Sequence, residues 1–120
     1  MNQRRILVAY DGTEAAYWAL MHAADAARDH DAAIGVVTVL PAITTAATDA
    51  ARILRELELE PALHTPIGDP ATEIARVAED HAYDAIYVGR REHGSLARTL
   101  EQSVSEGVVH ASSSTTVIAR

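Results

Sequence analysis

Short apolar runs that do not alternate with polar residues set the tightest limit on how this chain folds. The first is Arg5-Ile6-Leu7-Val8-Ala9-Tyr10. A strand apolar at successive positions offers no polar face to water, so both of its faces must be covered. Similar runs follow at Ala33–Leu40, Ala85–Val88 and Thr115–Ala119, with a weaker one near Leu63–Ile67. Between them lie stretches with helical periodicity. That alternation predicts βαβαβαβαβ, a parallel sheet with right-handed crossovers and helices on both faces.

The turns and caps agree with this layout. Asp11 with Glu14 reads as a capping box opening the first helix, whose inward stripe is Ala16, Leu20, Ala24 and Ala27. That helix ends near Arg28-Asp29-His30-Asp31, and Tyr17 and Trp18 read as packing residues on it. Pro41 stops the second strand. Thr44-Thr45 opens a second helix facing inward through Ala47, Ala50, Leu54 and Leu57. Pro66 cannot donate to a ladder, which places the third strand at an edge or a strand end. Asp69 as N-cap and Pro70 at the first helical position start the third helix, with Ile74, Val77, Ala78 and His81 on one face. A fourth helix carries Leu100, Val104, Val108 and Ala111. With no repeat or linker in sight, residues 1–120 read as a single domain.

Composition removes several classes of function. The net charge is -7, which argues against a nucleic-acid partner, since that needs a basic face. There is no cysteine, so disulfides, thiolate chemistry and cysteine zinc sites are excluded. All 10 basic residues are arginine, so neither a Schiff-base lysine nor a P-loop lysine exists. The same lack rules out a phosphoacceptor receiver domain, which needs a lysine after the fifth strand. The histidines lack a metal-binding spacing, and no metal is expected. No apolar run approaches the roughly 20 residues of a membrane helix, and no signal peptide is read, so a cytoplasmic location is expected. An acidic, lysine-free, alanine-rich chain fits a salt-adapted organism, although a GC-rich genome gives part of the same bias.

Ligands of open parallel sheets bind beyond the carboxyl ends of the strands, where strand order reverses. In a sheet ordered 3-2-1-4-5, the loops after strands one and four lie side by side. The first is Asp11-Gly12. The second runs Gly89-Arg90-Arg91-Glu92-His93-Gly94-Ser95 and on through Ser103-Val104-Ser105. A glycine at a strand end, with hydroxyls near a helix start, is a geometry that holds phosphate. Glu92 and Gln102 stand where close backbone approach would favour glycine.

These residues together resemble the universal stress protein family (the UspA domain). The likeness rests on Arg5–Thr13, on Gly68-Asp69-Pro70-Ala71 with Glu73-Ile74, and on Val88–Leu96 continuing through Ser103–Ala111 to Val117-Ile118. It implies an adenine nucleotide alpha hydrolase-like fold: a doubly wound five-stranded parallel sheet of order 3-2-1-4-5 with four helices. It also implies a site for ATP or AMP. Asp11 and Val39 would lie at the base and Gly89, Ser103 and Ser105 near the phosphates, with Gly12, Arg91, Gly94 and Val104 as further nucleotide-binding positions. The family's ATP binders carry three glycines in that loop. Here only Gly89 remains, with Glu92 and Gln102 in the other two places, and the link after the second strand is short. The resemblance further implies a homodimer formed through the last strand, Thr116-Val117-Ile118-Ala119.

Each site residue also has a purely structural reading. Asp11 can cap the first helix, Gly89 can permit a turn, and Ser103 and Ser105 can be first-turn hydroxyls. Two functions stay open. One is a non-catalytic stress-response protein acting through dimerisation and an unknown protein partner, its nucleotide site degenerate. The other is an ATP- or AMP-binding switch with at most weak hydrolysis.

Overall fold

Arg5–Ala9 forms β1, the middle strand of the sheet. The computed structural model describes residues 3–40 and 45–89 and the backbone of 115–119. After β1 come α1 (Glu14–Asp29), β2 (Ala33–Val37), α2 (Ala46–Glu56), β3 (Ala62–His64), α3 (Pro70–Asp80), β4 (Ala85–Gly89) and β5 (Thr115–Ala119). The strands are all parallel, in the order β3-β2-β1-β4-β5. The fold is therefore a doubly wound parallel α/β sheet. Three helices are described; the expected fourth lies at residues outside the described ones.

The unbroken apolar run of β1 is explained by its two covers. Ile6, Val8 and Tyr10 point into a layer with α1 and α2, while Leu7 and Ala9 point into a layer with α3. Leu7, Val8 and Ile6 are almost wholly inaccessible. The buried stripe of α1 is nearly all alanine: Ala16, Ala19, Ala23, Ala24 and Ala27, with Leu20. Small side chains let that helix lie close on the sheet, a proximity that matters at Gly89 below.

Helix starts and stops follow from local chemistry. Asp69 is the N-cap of α3, accepting from the Thr72 N–H at 3.1 Å, with Pro70 at the first turn as expected. At their other ends all three helices close alike. The amides of Ala32, Tyr83 and Leu59 donate to the carbonyls of Ala27, Ala78 and Leu54, all at 2.8–2.9 Å. The residues just before them, Asp31, Ala82 and Glu58, take positive φ of 51°, 55° and 64°. This is the Schellman closure, made without glycine.

Some expectations are corrected. β2 ends at Val37 rather than Leu40, which keeps only an isolated parallel bridge to Ile67. β3 is three residues long and ends before Pro66, at the sheet edge. Tyr17 and Trp18 are not packing residues: they are 37% and 46% exposed and meet edge-to-face at 5.4 Å. The core side of α2 is Ala46, Ala50, Ala51 and Leu54, with Ala47 and Leu57 only half-buried. His81 is exposed at the end of α3.

Candidate functional site

β1 and β4 pair directly, Ile6 with Ala85 through Val8 with Tyr87, so the segments after Ala9 and Gly89 leave the sheet side by side. At the end of β1 the chain turns through Gly12, whose φ of 86° suits glycine. Asp11 does not cap α1. Thr13 does, its hydroxyl accepting from the Ala16 N–H at 3.2 Å. Asp11 Oδ1 in turn accepts from the Thr13 amide at 3.0 Å and from the Thr13 hydroxyl at 2.7 Å. The cap thus lies two residues on and is not a capping box, since Ala16 at the third helical position has no side chain to reach back; a threonine inside an aspartate-led turn competes for the cap position. The carboxylate stays half-buried at the strand end and organises the turn.

The backbone beyond β2 shows a second feature. In a parallel strand, successive residues present their N–H and C=O groups to opposite neighbours. The Thr38 N–H donates to the His64 carbonyl at 2.9 Å and the Leu40 N–H to the Pro66 carbonyl at 2.7 Å, both toward β3. The Val37 carbonyl accepts from the Tyr10 N–H at 3.0 Å, toward β1. Val39 therefore presents its backbone to the β1 side, one step beyond the last β1 bond, on the side of the Asp11 turn. Thr38 fixes that geometry: its buried hydroxyl donates to the Tyr10 carbonyl at 2.7 Å. Sequence reasoning passed over Thr38; a polar residue inside an apolar run was the available signal. The Tyr10 side chain is buried on the α2 side, and burial, then the Asp49 charge, holds its hydroxyl above the usual tyrosine range.

Gly89 has a steric reason for lacking a side chain. A Cβ there would run into the Ala15 carbonyl and stand 2.8 Å from the Ala16 nitrogen, in the first turn of α1. The loop residues Arg91, Glu92, Gly94, Gln102, Ser103, Val104 and Ser105 lie outside the described residues, as do the side chains of Thr116, Val117, Ile118 and Ala119. Asp11, Gly12, Val39 and Gly89 are thus the site positions the structure brings together at one end of the sheet.

The sequence profile described as "universal stress protein family" matches residues 2–65 and 59–120. This chain belongs to the universal stress protein family. Solved universal stress proteins share its fold. One from Archaeoglobus fulgidus in complex with dAMP is 22% identical, with all of both chains covered and a TM-score of 0.80. UspA from Lactobacillus plantarum is 18% identical over 100% of this chain and 99% of that one, at 0.72. A universal stress protein in complex with cAMP is 16% identical over 98% of this chain and 97% of that one, at 0.69. Comparison with curated proteins gives no match. Asp11 and Val39 each lie two residues beyond the last residue of β1 and β2. Among its described residues, no helix is long and apolar enough to cross a membrane.

Proposed function

We propose that this universal stress protein is a single domain over residues 1–120 that binds an adenine nucleoside monophosphate and catalyses no reaction, acting in the cytoplasm through dimerisation and partner contacts. The observation that carries the nucleotide reading is the Val39 backbone, turned toward the Asp11 turn where β1 has ended. An N–H and C=O pair with no backbone partner among the described residues at such a place matches the hydrogen-bonding edge of a purine. Family members crystallised with dAMP and cAMP support the same ligand class. Glu92 and Gln102 in place of glycines disfavour a triphosphate, since a carboxylate about 4 Å from a phosphate is repelled by roughly 4 kcal/mol at an effective dielectric of 20. Arg90, Arg91 and Arg98 supply opposing charge and favour a second reading, an ATP-binding switch.

Titration calorimetry with AMP, cAMP and ATP tests this. The expected outcome is AMP binding at least as tight as ATP, with no phosphate release. Asp11→Ala is expected to weaken AMP about tenfold, or ~1.4 kcal/mol, whereas Thr13→Ala, which perturbs the same turn, leaves affinity nearly intact. Tighter ATP binding with hydrolysis selects the switch; no heat with any adenine nucleotide at millimolar concentration removes the nucleotide reading.

The dimer would form through β5, which lies at the sheet edge opposite β3. An uncovered strand edge favours two-fold pairing. Light scattering is expected to give twice the chain mass, and Val117→Lys or Ile118→Lys to shift it toward the monomer. A clean monomer at micromolar concentration overturns the dimer without touching the ligand.

A further inference from the structure

On the α3 side of the sheet, four side chains from three segments meet. Tyr83, just before β4, is buried, and its hydroxyl lies over Gly35 of β2, where a Cβ would clash with it. His64 Nε2, at the end of β3, is 2.8 Å from that hydroxyl. His81, closing α3, stacks on His64 with ring centroids 4.5 Å apart. Arg5 of β1 lays its guanidinium 4.9 Å from the Tyr83 ring centre and donates through Nε to the His81 carbonyl at 2.8 Å.

The Tyr83 hydroxyl can give its proton to His64 Nε2 only while that imidazole is neutral. Protonating His64 ends that arrangement. It also places a positive charge beside Arg5 and against His81. Among the described residues, the charged and titratable groups acting on His64 are His81 and Arg5; β2 and the rest of β3 carry no ionisable side chain, the Asp84 carboxylate takes the Arg5 amide, and Glu73 of α3 takes Arg76. The acids and arginines of α2 belong to the opposite layer.

We propose that Arg5, His64, His81 and Tyr83 form a proton-sensitive clasp that holds the edge strand β3 to the sheet while His64 is neutral and loosens it on acidification. β3 depends on such a clasp because it is short and bonded on one side only. The His64 carbonyl receives the Thr38 amide, so the clasp also reaches the base of the Val39 segment. Burial, with His81 and Arg5 adding to it, holds the His64 imidazole below its ordinary value of 6.5. The sign follows. Above about 6.5 the imidazole is neutral in both folded and unfolded chains and contributes no pH dependence. As pH falls below that value, the unfolded chain takes up a proton that the folded one resists, and stability drops until the folded value is passed.

Proton NMR of the whole protein tests the clasp, with His64 and His81 titrated individually and amide exchange followed at Thr38 and at Val8 in the central strand. The expected result is a His64 midpoint below 6.5. The protection factor of the Thr38 amide should fall at least tenfold between pH 8 and pH 5, while that of Val8 changes much less. His64→Gln, which stays neutral, should abolish the pH dependence at Thr38. His81→Gln, at an exposed position that leaves folding intact, should move the His64 midpoint upward. A His64 midpoint at or above 6.5, or a Thr38 response that persists in His64→Gln, overturns the clasp.

Discussion

A methyl group at position 89 would enter the backbone of Ala15 and Ala16 in the first turn of α1. Backbone cannot rotate aside as a side chain can, so Gly89→Ala is expected to destabilise the fold by about 1–3 kcal/mol, read from urea unfolding midpoints, whether or not a nucleotide is present. The glycine that most suggests a phosphate loop in the sequence thus has a packing reason sufficient in itself. The two reasons leave the same letter, and sequence alone does not separate them. Gly35 shows the same economy of space against Tyr83. Gly35→Ala is expected to cost a similar amount, and Tyr83→Phe in the same chain to recover part of it, so the two changes are less than additive in a double-mutant cycle. Asp11 was legible as a turn residue but not as the partner of Thr13, since either side chain suits a cap. Thr13→Ala is expected to lose about 1 kcal/mol, measured by the same unfolding experiment.

The helices stop where the strands must begin, and they do so without the usual glycine. Ala82 sits at φ 55°, where a Cβ costs roughly 1–2 kcal/mol. Glycine there removes that strain but adds about 0.5–1 kcal/mol of backbone entropy loss. Ala82→Gly is therefore expected to stabilise the protein by about 0.5–1 kcal/mol, seen as a higher denaturation midpoint with an unchanged slope. The missing glycines explain why these closures were invisible in the sequence even though the end of α1 was placed correctly. The strands were legible for a simple reason: a strand covered on both faces leaves a run of apolar letters, as in Ile6-Leu7-Val8. The exposed Tyr17 and Trp18 were misread because helical periodicity tells which residues share a face, not how far the neighbouring layer extends. The clasp around His64 left no local trace at all, since its members come from three segments that only the sheet brings together.

At the scale of the whole molecule, charge is the dominant feature. Of the described acidic residues only Glu73 is buried, and Arg76 meets its carboxylate at 3.2 Å. The others stand at or near the surface of a chain of net charge -7. Their mutual repulsion acts against the compact state and is screened by salt. The melting temperature is expected to rise from low to multimolar KCl; a flat profile removes salt adaptation as the reason for this composition. The sheet topology has a different consequence, one that concerns manufacture. Arg5 is tied to Asp84, 79 residues away, through its amide and the Asp84 carboxylate. At about 5–20 residues per second, a ribosome needs roughly 4–16 s to travel between the two. Through that interval one flank of the central strand has no neighbour, so the nascent chain must be kept from other chains until its own later half arrives.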